Sequence, residues 1–257
     1  MNVHLLRAVI VTAGFVGAAA LAAPATVVLG TATEGGGFEL YGRHLAETIS
    51  ATDASLKIEI RVTRGSAENL PLLEAGKLDI GLVEGNAAHV AFAGIERPKT
   101  ALRIVAAMYP GPGMFVVRGD STVRTIADLK GKPVAFGTPA SGLTTLARDV
   151  LDGLGLTPER DFQAVFLQKA GDGPTLVLEG KVAALWGGGI GWPGFTKVAA
   201  GPGGARFIVP DAGEIRLAAQ LAQGRYTTAA NTASEAPRPE LLHPGAARYL
   251  REIGALR

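Results

Sequence analysis

Residues 26–62 read TVVLGTATEGGGFELYGRHLAETISATDASLKIEIRV, and the hydrophobic period changes twice along them. Thr26–Leu29 is a short β-branched run of strand type. Phe38, Tyr41, Leu45 and Ile49 then recur near helical spacing across Phe38–Ile49, and Lys57–Val62 alternates with the period of a strand. The same grammar continues onward. Glu68–Ala75 reads as a short helix stopped by Gly76, Asp79–Val83 (DIGLV) as a strand, and Ala87–Ala93 as a small helix. Strand, helix, strand, helix, strand predicts right-handed βαβ units on a mostly parallel sheet.

Leu102–Met108 and Met114–Arg118 read as two further strands, separated by Tyr109-Pro110-Gly111-Pro112-Gly113. A second alternating series follows. Val134–Phe136, Ala164–Leu167, Val182–Trp186 and Arg206–Val209 are its expected strands, with helices at Thr144–Gly153 and Thr175–Leu178. Two α/β series joined at a Pro/Gly break predict two lobes with a cleft between them. We place lobe I at 23–112 with a C-terminal helix from 243–257, lobe II at 113–212, and a linker at 213–242. Within the C-terminal stretch Ala246–Leu256 carries the last helical pattern.

Composition narrows the function. The chain has 257 residues, 47% hydrophobic and 19% charged, which excludes disorder and allows a sizeable core. Its net charge of +2 comes from singly scattered cations, and aromatics are 6%, so nucleic acid is not an expected partner. Residues Met1–Arg7 carry one cation, Ala8–Ala22 none, and Ala20-Leu21-Ala22 offers a small-x-small cleavage pattern. About 15 apolar residues fall short of the roughly 20 a span needs, so 1–22 reads as an export signal rather than an anchor. Cysteine is absent, which removes disulfides, thiol nucleophiles and Cys-type zinc sites. A Cys-free exported chain fits the bacterial periplasm.

Glycine-rich loops carry the expected chemistry. Glu34-Gly35-Gly36-Gly37 lies between the first strand and its helix, where unpaired N–H groups and the positive end of the helix dipole favour anions. Gly137-Thr138-Pro139-Ala140-Ser141-Gly142 repeats that arrangement in the second series, with Ser141 and Thr144 adding hydroxyls. Open α/β sheets place small ligands at such strand ends. Gly189-Ile190-Gly191-Trp192-Pro193-Gly194 matches G-x-G-x-x-G after a strand, with Asp211 expected to end another strand about 20 residues on. That supports an exported NAD(P)-dependent oxidoreductase as the alternative reading. Against it, Pro193 stiffens the turn and only Phe195–Ala200 remain for a helix, so Trp192 is assigned to the cleft wall. His44, His89 and His243 are isolated, no G-x-S-x-G elbow occurs, and Asp128, Asp149, Asp152 and Glu159 read as caps or solvated faces. No metal, cofactor or catalytic group is expected.

The segments GTATEGGGFELYG (30–42), RGSAENLPLLEAGKLDIGLVEGNAA (64–88), AAMYPGPGMFVVR (106–118), TIADLKGKPVAFGTPASG (125–142) and LHPGAARYLREIG (242–254) resemble TAXI-type solute-binding receptors of tripartite ATP-independent periplasmic (TRAP) transporters. The resemblance implies a two-lobed α/β architecture like that of type II periplasmic binding proteins. It implies capture of a small organic anion or amino acid and delivery to TRAP permease subunits, or the same fold used to sense a ligand. A monomer is expected. By position it assigns the grip to Thr33, Glu34, Gly35, Gly36, Gly37 and Phe38, to Ser66 and Asn69, to Glu84, Gly85 and Asn86, to Tyr109, and to Gly137, Thr138, Ser141 and Gly142. Glu84 stands where these receptors usually have Gln, which would suit the ammonium of a zwitterion. Glu34 is expected to flank the first helix facing solvent. The linker is shorter than in the family, removing a return strand.

Overall fold

A computed structural model describes residues 23–109, 111–214 and 239–256. The expected export signal, 1–22, and most of the expected linker lie outside these residues. The first series forms β1 (Ala25–Gly30), α1 (Gly37–Thr52), β2 (Leu56–Arg61), α2 (Ser66–Glu74), β3 (Ile80–Gly81) and α3 (Gly85–Ala93). Its sheet runs β2-β1-β3, all parallel, with Ala25 opposite Leu56 and Leu29 opposite Ile80. Strand β2 alternates as read, Lys57, Glu59 and Arg61 facing out. The expected strand at Asp79–Val83 contracts to two residues; beside them the Asp79 N–H donates to the Val28 carbonyl at 3.1 Å, the Leu82 N–H donates to the Gly30 carbonyl at 2.9 Å, and the Asp79 carboxylate takes the Val28 N–H at 2.7 Å. The buried apolar side chains of this lobe's three-stranded series are Leu29, Ala46, Leu70, Leu78, Leu82 and Ala91, joined by buried polar ones such as Thr31, Ser66 and Asn69.

The run 102–108 is not a strand. Only Ile104 pairs, bridging Leu242 in parallel, with its N–H on the Leu241 carbonyl at 2.7 Å and its carbonyl taking the His243 N–H at 2.8 Å. An apolar run becomes a strand only along the length of a partner, and no other described strand flanks it; Val105 is left half exposed. The outgoing and returning chains therefore meet at this one bridge.

The second series builds β4 (Met114–Arg118), β5 (Pro133–Gly137), α4 (Gly142–Asp152), α5 (Pro158–Asp161), β6 (Gln163–Phe166), α6 (Gly173–Leu178), β7 (Ala184–Gly187), α7 (Pro193–Ala199) and β8 (Ala205–Ile208). The sheet order is β6-β5-β7-β4-β8. Strand β5 is parallel to β6 and β7, while β4 is antiparallel to both β7 and β8, so this sheet is mixed rather than mostly parallel. The reversal follows from entry: β4 arrives from the crossover against the direction of the βαβ units. Both faces are covered. Phe115, Phe136, Trp186 and Leu151 fill one side, Val116, Leu185, Phe195 and Val198 the other. Trp186 stacks edge-on against Phe115 at 4.9 Å and donates its ring N–H to the Leu143 carbonyl at 2.7 Å, fixing the first turn of α4. The last helix, α8, spans Pro244–Glu252 with His243 as its N-cap. Two sheets in sequence, one per series, realise the two-lobed α/β fold.

Candidate functional site

Every helix-starting loop of the first lobe leaves the carboxyl end of a strand, and Asn69 holds those ends in one plane. Its side-chain amide donates to the carbonyls of Thr31 and Leu82, both at 2.8 Å, and its Oδ1 lies 2.8 Å from the Thr63 hydroxyl. Asn69 is fully buried. It was expected to touch ligand, but every polar atom is already engaged inside the lobe, so it positions the loops. In the second lobe Thr144 has the same job. Its buried hydroxyl lies 2.7 Å from the Thr138 carbonyl and 2.8 Å from that of Phe136, pinning the loop after Gly137, whose φ of +91° ends β5.

The two sets of loops touch. The Gly171 N–H donates to the Glu34 carbonyl at 3.0 Å and the Ala170 N–H to the Thr33 hydroxyl at 3.2 Å. Lys169 pairs with Glu34 at 2.6 Å, holding that carboxyl below its ordinary range through its hydrogen bond and its charge. Glu34, assigned to the grip and expected to flank the helix toward solvent, reaches the other lobe. At the next loop the Ala67 N–H donates to the Ala140 carbonyl at 3.3 Å. A Cβ on Gly65 would sit 3.1 Å from the Ser141 Cα, and one on Gly142 only 2.2 Å from the Glu84 Cβ. Farther along, the Asn86 amide donates to the Asp149 carboxylate. Asp149 was read as solvated; it lies in this seam, and burial raises its pKa. Lys169, Ala170 and Gly171 were missed, although Ala-Gly just past a strand is the same small-residue signal that marked the other loops. Nothing in the sequence sets Asp149 apart from Asp152.

Donors converge at the start of α1. Gly36 begins that helix in an extended conformation, with no side chain capping its N–H groups. Beside it, a Cβ on Gly37 would meet Trp192 Cδ1 at 3.0 Å, Trp192 Nε1 at 3.2 Å and the Tyr109 hydroxyl at 3.2 Å. The Trp192 Nε1 is buried and has no hydrogen-bond partner. Tyr109 stacks on Tyr41 at 5.7 Å, and burial, helped by Tyr41, pushes its pKa up to about 12. Its hydroxyl therefore keeps its proton at any ordinary pH. An open helix N-terminus, an indole N–H and a phenol form a set of donors suited to a carboxylate or another compact acceptor. Phe38 is half-buried in the first turn alongside.

The other expected residues are committed elsewhere to differing degrees. Ser141 caps α4, accepting the Thr144 N–H at 3.1 Å, and Ser66 accepts the Glu84 N–H at 3.0 Å. Glu84 caps α3, with Oε2 accepting the N–H groups of Asn86 at 3.0 Å and Ala87 at 3.1 Å. Burial raises its pKa, those backbone bonds oppose the rise, and Asp149 adds to it. At the rim, Thr33, Glu34, Thr63, Arg64, Gln168 and Lys169 line an open groove of about 520 Å³.

The glycine motif at 189–194 has a different physical use from a dinucleotide loop. Strand β7 ends at Gly187, the Trp192 N–H closes a tight turn on the Gly189 carbonyl at 3.0 Å, and α7 is seven residues long. Gly194 lies under the Trp192 ring, where a Cβ would approach to 2.2 Å. Asp211 does not end a strand; β8 stops at Ile208, and Asp211 accepts the N–H groups of Gly213 and Glu214. Among the described residues no cluster of three metal-binding side chains occurs, and no helix is long and apolar enough to cross a membrane.

Residues 29–238 match the NMT1-like family. Among solved structures, the chain is similar to the PA01 protein of Pseudomonas aeruginosa, a candidate LysR-family transcriptional regulator. The identity is 12%, with 79% of this chain and 73% of that one covered, at a TM-score of 0.50. Two further similar structures are SsuA proteins. The alkanesulfonate-binding SsuA of Xanthomonas axonopodis pv. citri is 20% identical over 92% of this chain and 81% of that one, at a TM-score of 0.49. The periplasmic aliphatic sulphonate binding protein SsuA of Escherichia coli is 22% identical at a TM-score of 0.46. This match covers 72% of the chain, which spans 56% of that protein's length. At these identities the likeness is one of fold.

Proposed function

We propose that this chain, which belongs to the NMT1-like family, is a periplasmic solute-binding receptor that closes two lobes on a small organic anion or zwitterion. One observation carries the reading: the buried, partnerless Trp192 Nε1 beside the Tyr109 hydroxyl and the uncapped start of α1. A buried donor without an acceptor costs about 1–3 kcal/mol, and a bound carboxylate removes that cost. The donors come from both lobes and the hinge segment, so an occupant there bridges them. Glu34, Gly35 and Gly36 on one side and Lys169, Ala170 and Gly171 on the other form the lips of that closure. Among the described residues, the groups nearest the Gly37 position are the Trp192 indole and the Tyr109 hydroxyl, donors that suit capture.

The proposed division is lobe I at 23–112 with the C-terminal helix, lobe II at 113–212 and a short return segment at 213–242. Residues 1–22 would direct export, and the filled receptor would hand its solute to the permease subunits of a TRAP transporter. The resemblance to TAXI-type receptors supports that partner. A thermal-shift screen of dicarboxylates, keto acids and amino acids tests the reading, with NAD and NADP as controls. A ligand at 100 times its dissociation constant adds about 2.7 kcal/mol, a readily visible shift. We expect stabilisation by at least one small carboxylate and none by either dinucleotide; stabilisation by NAD or NADP alone would return the oxidoreductase reading. Glutamate against 2-oxoglutarate then tests amine recognition near Glu84.

A further inference from the structure

Glu84 and Asp149 belong to different lobes and are half-buried against one seam. Glu84 ends the loop after β3 and caps α3; Asp149 sits on α4 and takes the Asn86 amide from across the seam. Lobe II closes directly on Glu84, whose Cβ lies where a side chain on Gly142 would have to go. We infer that closure of the two lobes is coupled to proton uptake by the Glu84–Asp149 pair, so that acid favours the closed form and rising pH favours the open one.

Glu84 meets Ser66 of α2, the first turn of α3, Gly142 of α4 and Asp149; Asp149 meets Asn86 of α3 and Asp152 of its own helix. Among the described residues no lysine or arginine acts on either one. Arg148, adjacent in sequence, is turned outward to Glu159 at 2.5 Å. Closure therefore strips water from two like charges without supplying a counter-ion, and only the backbone N–H groups on Glu84 and one amide on Asp149 oppose the cost.

The sign follows. Burial raises both pKa values in the closed form, from ordinary values of 4.5 for Glu84 and 3.8 for Asp149. A group that binds its proton more tightly when closed stabilises closure below its open-form pKa and loses that contribution as pH rises through the closed-form value. The pH dependence thus begins near the ordinary carboxylate range and extends upward from it. With one proton taken up per closure, the closing equilibrium falls by up to about tenfold per pH unit within that window. The lip pair acts with the opposite sign, since Lys169 holds the Glu34 carboxyl below its ordinary range only in the closed form, and its contribution is confined to pH near and below the ordinary value of 4.5. His89, five residues along from Glu84 on α3, serves as the control.

The chain has no cysteine, so a donor and an acceptor dye can be placed at Ser50→Cys on α1 and Lys130→Cys in lobe II, both exposed. Energy transfer in the ligand-free protein is read from pH 4.5 to 7.5. The pair predicts high transfer in acid that declines with pH, a flattened profile in Glu84→Gln and Asp149→Asn, and an unchanged profile in His89→Gln. Glu84→Gln keeps an oxygen to cap α3, so its fold is preserved. A flat wild-type profile, an unaltered slope in both carboxamide variants, or loss of the slope in His89→Gln would overturn the inference. No ligand enters this test, so its outcome is separate from that of the receptor reading.

Discussion

The backbone N–H of Gly171 donates to the Glu34 carbonyl at 3.0 Å, and beside it the Gly35 Cα approaches so closely that a Cβ there would lie 2.5 Å from the Gly171 Cα. Two glycines, one per lobe, make this approach possible. Gly35 also carries a φ of +77°, a conformation that costs most other residues about 1–2 kcal/mol.

Gly35→Ala should therefore hold the lobes apart. Gly76 is the matched control, with φ of +64° and open space around its missing Cβ. Both substitutions should lose about 1 kcal/mol to backbone strain. Only Gly35→Ala should also enlarge the radius of gyration in small-angle scattering. Equal dimensions for the two variants would show that the lips do not set the closed state.

Asn69→Ala should cost about 2–4 kcal/mol, since it strands buried carbonyls of Thr31 and Leu82 and a partner of Thr63. Urea unfolding should show a lower midpoint with an unchanged slope. A loss of ligand affinity with full stability would instead restore Asn69 to the site.

Ser141→Ala removes the N-cap of α4 and should destabilise by about 1 kcal/mol. Ser141 also packs against Gly65 of lobe I, so affinity for a captured carboxylate should fall as well. Calorimetric titration alongside thermal unfolding separates the two effects, and unchanged affinity would confine Ser141 to capping.

Trp192→Phe removes an unpartnered donor and also some packed volume. These contributions oppose each other, leaving ligand-free stability within about 1 kcal/mol of wild type. Affinity for a carboxylate should nonetheless drop about tenfold, the worth of one donated bond. Retained affinity would take the indole N–H out of the site.

The order of elements was legible because Phe38, Tyr41, Leu45 and Ile49 repeat with a helix's period and Lys57–Val62 with a strand's. The loops at 34–37 and 137–142 were legible as loops because glycine clusters follow their strands. What stayed hidden depends on partners distant in the chain. Whether 102–108 pairs is decided by Leu242, and the direction of β4 by the crossover that delivers it. Asn69 and Thr144 sit at the expected loops, yet local hydrogen bonds consume their polar atoms, and composition cannot distinguish a spent donor from a free one. The Trp192 N–H is the converse case: its lack of a partner is a three-dimensional fact.

Gly37 offers the most direct test of the central claim. It lies in the first turn of α1 without a positive φ, so alanine fits the helix, while its Cβ would fill the space against Trp192 and the Tyr109 hydroxyl. Isothermal titration of wild type and Gly37→Ala with the same panel of small carboxylates and amino acids decides the matter. A receptor that grips its solute at the α1 N-terminus should bind at least one panel member with one-to-one stoichiometry, and Gly37→Ala should fold, with the Trp192 and Tyr109 side chains giving by a few tenths of an ångström, and lose that binding. Equal affinity in the two proteins, or no binding of any panel member to the wild type, would contradict it.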